Sequence, residues 1–151
     1  MSTSVKSLLF ASSFVAYASS FPTYILLNPN GNNVTGVAAI GHVNPAGGGA
    51  NNKYGIAFAN NLHAWNLTLA CADSDGDGWP NGFELGDPCG VWKFGGAEPL
   101  WVTDISHPGQ KASVPLTRGA LPVNYAAVCG TNPCASADNE QSSLSLRGQR
   151  K

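Results

Sequence analysis

The feature that most constrains this chain is an acidic stretch, DSDGDGWPNGFE, at residues 73–84. Its spacing matches the calcium-loop pattern D-x-[DN]-x-[DN]-G-x5-E at every position. Calcium takes six to eight oxygen ligands, and alternating acidic side chains in a tight loop can surround one ion. The predicted calcium ligands are Asp73, Asp75, Asp77, the main-chain carbonyl of Trp79, Asn81 directly or through water, and Glu84. The sequence therefore predicts calcium as a cofactor.

The loop is expected to act alone and not as half of a regulatory pair of EF-hands. Position 8 of a paired loop forms a backbone bridge to its partner, but here it is Pro80, which has no N–H. Gly86 and Pro88 also cut short the helix that would follow the loop. Isolated extracellular calcium loops have dissociation constants of about 10⁻⁴ to 10⁻³ M, so we expect a structural ion.

Two of the four cysteines lie on either side of the acidic loop, and the other two lie towards the end of the chain. Cys71 lies two residues before the loop and Cys89 five residues after it, so a bond between them would close the loop. Cys129 and Cys134 would then form a small local ring. Four cysteines allow three pairings, and the residues alone leave that choice open.

The first 20 residues have the layout of a secretory signal peptide. A lysine at Lys6 precedes an apolar run at residues 8–18, and small residues follow it. Cleavage is expected after Ala18 or Ser20. The sequons at Asn33 and Asn66 are predicted glycosylation sites, which agrees with export and with an even number of cysteines.

The remaining composition excludes two classes of partner for the mature chain. No second apolar run reaches the length of a membrane span. The net charge is −1, the body is acidic and only the end of the tail is basic, so no basic face is expected and nucleic acid is not expected as a partner. We predict a secreted, extracellular protein whose oligomeric state the sequence leaves open.

The chain is expected to form one domain at residues 21–117 and a flexible small and polar tail at residues 118–151. Phe58, Leu62, Trp65 and Leu69 form one apolar stripe, which predicts a single main helix over residues 54–72 that leads into the acidic loop. Apolar runs at residues 24–27 and 37–43 predict short strands. The predicted fold class is a small, irregular α+β fold stabilised by disulfides.

The three histidines define the alternative function. If His42, His63 and His107 converged, they would form a copper or zinc site, as in a secreted monooxygenase-like metalloenzyme. If they stay apart, each serves its own loop or helix. No nucleophile motif and no uncommitted pair of carboxylates argues for a hydrolase. Neither predicted mature start supplies the N-terminal histidine that copper polysaccharide oxygenases use.

Several segments together resemble the temptin family of secreted domains, which is named after a molluscan water-borne pheromone component. These segments are FPTY at residues 21–24, GHVNPAGGGANNKYGIAFANNLHAW at 41–65, LACADSDGDGWPNGFELGDPCGVW at 69–92 and ISHPG at 105–109. The resemblance favours cleavage after Ser20 and implies that Cys71 and Cys89 form the family's central disulfide. The chain lacks the early cysteine of the molluscan form, so Cys129 and Cys134 cannot inherit its second bond.

The sequence thus favours a non-catalytic secreted recognition module of temptin type over the metalloenzyme. The resemblance implies a domain that works by binding, with an extracellular protein or a cell-surface or wall ligand as its partner. Fold likeness alone does not transfer a pheromone role.

Overall fold

The computed structural model describes residues 24–117 and 124–135. The predicted signal peptide at residues 1–20 lies outside this range. The described chain forms four short helices: α1 (Lys53–Asn60), α2 (Leu67–Cys71), α3 (Asn81–Glu84) and α4 (Tyr125–Cys129). Its only β pairing is an isolated antiparallel bridge between His42 and Asn51. A small, irregular, disulfide-bonded fold is therefore confirmed, but its β component is not.

The two predicted strands are wrong because their backbones close into local turns. The N–H of Leu27 donates to the carbonyl of Tyr24 at 3.1 Å, and the side-chain amide of Asn28 donates to the same carbonyl at 2.7 Å. In the second segment, His42 N–H donates to Ala39 O at 3.1 Å. These short-range bonds use the groups that a strand ladder would need.

The single helix predicted over residues 54–72 is also wrong, since the chain leaves the helix after Asn60 and re-enters at Leu67. Leu62 and His63 between them both have φ of 56°. Asn66 begins α2, with its side-chain oxygen accepting from Leu69 N–H at 3.1 Å. Because asparagine caps helices better than it extends them, the asparagines of this stretch favour the break.

Asn52 caps the N-terminus of α1 and ties it to the preceding turn. Its side-chain oxygen accepts from Gly55 N–H at 2.8 Å, and its amide donates to Ile40 O at 2.8 Å and to His42 O at 3.0 Å. Gly55 lets α1 approach this turn, since a Cβ atom there would lie 2.0 Å from Gly41 O. One buried amide thus joins a helix and a turn.

The apolar side chains form two clusters. The first surrounds α1 and α2, and its buried members are Val34, Ile40, Tyr54, Phe58, Trp65, Leu69, Ala70 and Leu85. The second joins α3 to α4, and its buried members are Trp79, Phe83, Tyr125 and Cys134. Three residues of the predicted stripe lie in the first cluster, but Leu62 is 88% exposed because of the helix break.

Both disulfides connect the acidic loop region to the segment that carries α4. Cys71 pairs with Cys134 and Cys89 pairs with Cys129, so the Cys71–Cys89 pairing and the local Cys129–Cys134 ring are wrong. Tyr125 docks edge-on against Phe83, with 5.2 Å between ring centroids, and this contact brings α4 within reach of both earlier cysteines. Residues 124–135 of the predicted tail therefore pack against the domain.

Candidate functional site

The acidic loop between α2 and α3 gathers three carboxylates at one place. One oxygen from each of Asp73, Asp75 and Asp77 lies within 4.8 Å of the others. Among the described residues, no other group of three aspartate, glutamate, histidine or cysteine side chains is this close. The loop therefore brings three of the predicted calcium ligands close together.

Hydrogen bonds from the loop's own backbone hold these carboxylates in place. Asp73 accepts from Gly76 N–H at 2.8 Å and from Gly78 N–H at 2.9 Å, and Asp77 accepts from Trp79 N–H at 2.7 Å. Gly76 and Gly78 have φ of 80° and 97°, a conformation that other residues seldom adopt. Gly78, which the pattern specifies, and Gly76, which it does not, therefore allow the backbone to wrap around the carboxylates.

Glu84, at the end of α3, is buried without full compensation of its charge. Its Oε1 accepts from Ser106 Oγ at 2.9 Å, whereas its Oε2 has no hydrogen-bond partner among the described residues. Burial raises the pKa of Glu84 from its ordinary 4.5 to about 9; the Ser106 bond opposes this shift, and the negative charge of Asp75 adds to it. Glu84 does not belong to the group of three close carboxylates.

Asp75 and Asp77 in the loop also have a raised pKa. Burial and the charge of Asp77 raise the pKa of Asp75 to about 6, and burial also raises the pKa of Asp77. The Oδ2 atoms of both are buried and lack hydrogen-bond partners within the described chain. Three buried carboxylate oxygens without partners fit a hard divalent cation, which takes oxygen ligands and supplies the missing positive charge.

The two remaining predicted ligands have structural contacts of their own. The amide of Asn81 donates to Leu69 O at 2.8 Å and its oxygen accepts from Ser74 N–H at 3.3 Å, so this buried side chain ties the loop to α2. The Trp79 side chain packs on Phe83, with 6.2 Å between ring centroids. Calcium ligation by Asn81 and by the Trp79 carbonyl stays a prediction.

Two residues that touch the loop were missed in the sequence. Ser106 holds Glu84, and the ammonium of Lys111 donates to Gly76 O at 2.7 Å, where its positive charge partly opposes the rise in the pKa of Asp75 and Asp77. Both come from a segment more than 20 residues after the loop. The ISHPG motif was the available signal, but it drew attention to His107 and not to Ser106.

The three histidines do not form one metal group. The ring of His63 packs on Tyr24 at 4.7 Å and edge-on to Phe58 at 5.4 Å, and His42 lies at the bridge to Asn51. His107 is buried in its own turn, where its Nδ1 accepts from Gly109 N–H at 3.0 Å and burial lowers its pKa. The proposed copper or zinc site at His42, His63 and His107 therefore lacks the convergence that it needs.

The two sequons differ in exposure. Asn33 is exposed, and its amide donates to Asn30 Oδ1 at 2.7 Å. Asn66 is half-buried, caps α2 and donates to Asn61 Oδ1 at 3.1 Å. A glycan on Asn66 would have to leave through this cap. Glycosylation at either residue stays a prediction.

None of the helices in residues 24–117 and 124–135 has the length and apolar character needed to cross a membrane.

Comparison with known proteins gives two matches, which confirm the resemblance seen in the sequence. The family model described as Temptin C-terminal matches residues 18–110. Temptin from Aplysia californica is 41% identical over 101 residues, which cover 62% of this chain and 80% of that protein. No solved structure is significantly similar to the chain.

Proposed function

Because the chain belongs to the temptin family, we propose that it is a secreted, non-catalytic recognition module, stabilised by calcium and disulfides, that binds an extracellular protein or cell-surface ligand. The two disulfides support export, since such bonds form and persist in oxidising compartments. The metalloenzyme alternative depended on three converging histidines, and His42, His63 and His107 are not among the close groups of metal ligands in the described chain.

The observation that carries the calcium part of the proposal is the buried carboxylate of Glu84. A fully buried glutamate near Asp75 and Asp77, with one oxygen that has no partner in the described part of the chain, is unfavourable as an anion unless a cation joins it. Calcium would be held by the carboxylates of Asp73, Asp75, Asp77 and Glu84. Because these residues connect α2 to α3, the ion would stabilise the region that both disulfides tie to α4.

A titration tests this part directly. Isothermal titration of the metal-free protein with calcium chloride should show one equivalent bound, with a dissociation constant of about 10⁻⁴ to 10⁻³ M. Asp75→Asn should weaken binding at least about tenfold, whereas Glu98→Gln, which changes an exposed glutamate, should leave it unchanged. A parent protein without calcium-dependent heat would remove calcium from the proposal, and one equivalent of copper or zinc in native mass spectra would favour the alternative.

The recognition surface that we propose lies along residues 91–102. This segment exposes Val91 at 70%, Phe94 at 63% and Leu100 at 57%. With Leu26, Trp92 and Val102 it borders a cleft of about 270 Å³. A run of exposed apolar side chains beside a cleft is typical of a protein-binding surface, and aromatic residues supply much of the binding energy at such surfaces.

The position of Trp92 links this cleft to the folded core. Its backbone N–H donates to Asp87 Oδ2 at 2.8 Å, and its side chain packs against the first cluster. The same Asp87 oxygen accepts from Trp65 Nε1 at 2.8 Å, inside that cluster. One lining residue of the cleft, Trp92, is therefore held by a buried carboxylate, which limits the ordering cost of binding.

Site-specific crosslinking tests the recognition surface. A photoreactive amino acid at position 94 should give a discrete adduct with an extracellular protein or cell-surface component from the source organism. The same probe at position 116, where Leu116 is 86% exposed and outside the cleft, should not give that adduct. An adduct pattern shared by both positions would show that residues 91–102 are not the recognition surface.

A further inference from the structure

A small pocket lies between the turn at residues 24–28, the turn at residues 39–42 and α1. Its volume is about 180 Å³. An apolar cavity of about 150 Å³ is large enough to bind benzene, so this pocket has room for a single substituted ring. It is separate from the acidic loop, whose carboxylates do not line it.

Aromatic side chains form one wall of the pocket. The rings of Tyr24 and His63 lie 4.7 Å apart with 32° between their planes. Phe58 presents itself edge-on to both, at 6.4 Å from Tyr24 and 5.4 Å from His63. Stacked and edge-to-face arrangements of this kind attract a further aromatic ring.

The backbone that carries His63 into this wall has an energetically unfavourable conformation. His63 and its neighbour Leu62 both adopt φ of 56°, which is unfavourable for residues other than glycine. Leu62 gains no burial from this turn, because it is 88% exposed. The strained turn therefore places the His63 ring against Tyr24 and Phe58, and strain of this kind concentrates at binding sites.

Buried hydrogen bonds fix the other walls. Asn28 donates to Tyr24 O at 2.7 Å and accepts from the hydroxyl of Tyr54, so one amide positions two of the lining aromatic residues. Asn52 donates to Ile40 O at 2.8 Å and holds the opposite turn against α1. A pocket formed in advance loses little conformational freedom when a ligand binds.

The polarity of the lining limits the ligand. The described residues that line the pocket include no aspartate, glutamate, lysine or arginine, whereas His42, Asn28 and Asn51 supply polar groups at its border. We propose that this pocket is a binding site for a small uncharged aromatic molecule that carries one polar substituent, with phenols as the chemical class. The proposal does not depend on calcium or on the cleft at residues 91–102.

The experiment is an NMR titration of the full secreted chain with 4-methylphenol. Amide shifts should saturate with a dissociation constant of about 1 mM or lower, and the largest should come from Gly41, Gly55 and His63. Cyclohexanol, which has a hydroxyl but no aromatic ring, should bind several-fold more weakly. Shifts that never saturate, or equal binding of cyclohexanol, would overturn the proposal.

Variants of the exposed wall residues locate the site without disturbing the core. Tyr24→Ala and His63→Ala should each weaken 4-methylphenol about tenfold, because each removes one face of the aromatic wall. Leu62→Ala is the matched control, since Leu62 shares the strained turn but does not line the pocket, and it should leave binding unchanged. Unchanged affinity in Tyr24→Ala and His63→Ala would place any binding elsewhere.

Discussion

Replacing Glu84 by glutamine tests the electrostatic description of the acidic loop. Glutamine keeps an oxygen that can accept the Ser106 hydrogen bond but carries no charge. In chelator at pH 7, the folded parent holds Glu84 largely protonated, because its pKa is about 9, whereas the unfolded chain ionises it near 4.5. Folding at pH 7 therefore requires Glu84 to take up a proton about 2.5 pH units above the pKa that it has in the unfolded chain. This protonation costs about 3 kcal/mol, and the neutral glutamine avoids it.

The sign of this effect fixes its pH dependence. A carboxyl group whose pKa is raised by folding favours the folded state fully below the unfolded value of 4.5, and this contribution is lost as the pH rises towards about 9. In chelator, Glu84→Gln should therefore melt on the order of 10 °C above the parent at pH 7. At pH 5 the difference in stability should fall below about 1 kcal/mol.

Calcium should reverse the order of the two proteins. The parent gains about 1.4 kcal/mol at ten times its dissociation constant and about 2.7 kcal/mol at a hundred times, whereas the variant has lost a ligand. Their melting temperatures should therefore cross at a calcium concentration on the order of a hundredfold above the parent's dissociation constant. This crossing distinguishes a metal ligand from a merely buried acid.

The assay is calorimetric unfolding in chelator and at several calcium concentrations, with Glu98→Gln as a control. The control changes an exposed glutamate and should follow the parent under every condition. The reasoning is refuted if Glu84→Gln melts below the parent in chelator at pH 7. It is also refuted if the variant keeps the full response of the parent to calcium.

Two further predictions concern cross-links and buried amides. Replacing Cys71 and Cys134 together by serine should lower the free energy of unfolding, measured by urea denaturation, by about 4 kcal/mol, because their bond spans 63 residues. A peptide map of the non-reduced parent that links Cys71 to another cysteine would contradict this prediction. Asn30→Ala should lower the free energy of unfolding, also measured in urea, by about 2–4 kcal/mol. The Asn30 amide donates to the carbonyls of Leu85 and Trp101 at 2.9 and 2.7 Å, and alanine leaves both without it. A loss below about 0.5 kcal/mol would show that water replaces that amide.

The acidic loop was predictable from sequence because its geometry depends on nearby residues. The backbone N–H groups of Gly76 and Gly78 reach the carboxylate of Asp73 within five residues, so the pattern of acids and glycines determines the shape of the loop. The charge state of Glu84 was not predictable in this way. It depends on burial, which raises the pKa, and on the hydrogen bond from Ser106, 22 residues further along the chain, which opposes that rise.

The disulfide pairing was not predictable because it depends on where α4 docks. Closeness in sequence favoured a bond across the loop and a second bond between Cys129 and Cys134. The contact between Tyr125 and Phe83 decides otherwise, since it docks α4 so that Cys129 at its end meets Cys89, and Cys134 just beyond it meets Cys71. A small and polar composition concealed this single anchoring residue.

The helix break shows how local hydrogen bonds outweigh an apolar stripe. The side-chain amide of Asn61 donates to Ala64 O at 2.5 Å, and Asn66 caps α2. These bonds compensate for the backbone bonds lost between α1 and α2, while Trp65 still reaches the core through its bond to Asp87. The period of the stripe identified three buried positions correctly, Phe58, Trp65 and Leu69, but it was wrong for the exposed Leu62, and continuity of the helix did not follow from it.

The ISHPG segment shows why a motif can be identified for the wrong reason. Its histidine suggested a metal ligand, yet its contacts are structural: Ser106 bonds Glu84 of the acidic loop, and Gly109 packs so closely on Asn52 that a Cβ atom there would lie 2.7 Å from that amide. Asn52 in turn caps α1 and holds Ile40. The ISHPG segment thus connects the acidic loop to the aromatic pocket through adjacent buried polar groups. Substitutions in this segment should therefore affect both sites, although none of its side chains belongs to the close group of aspartates.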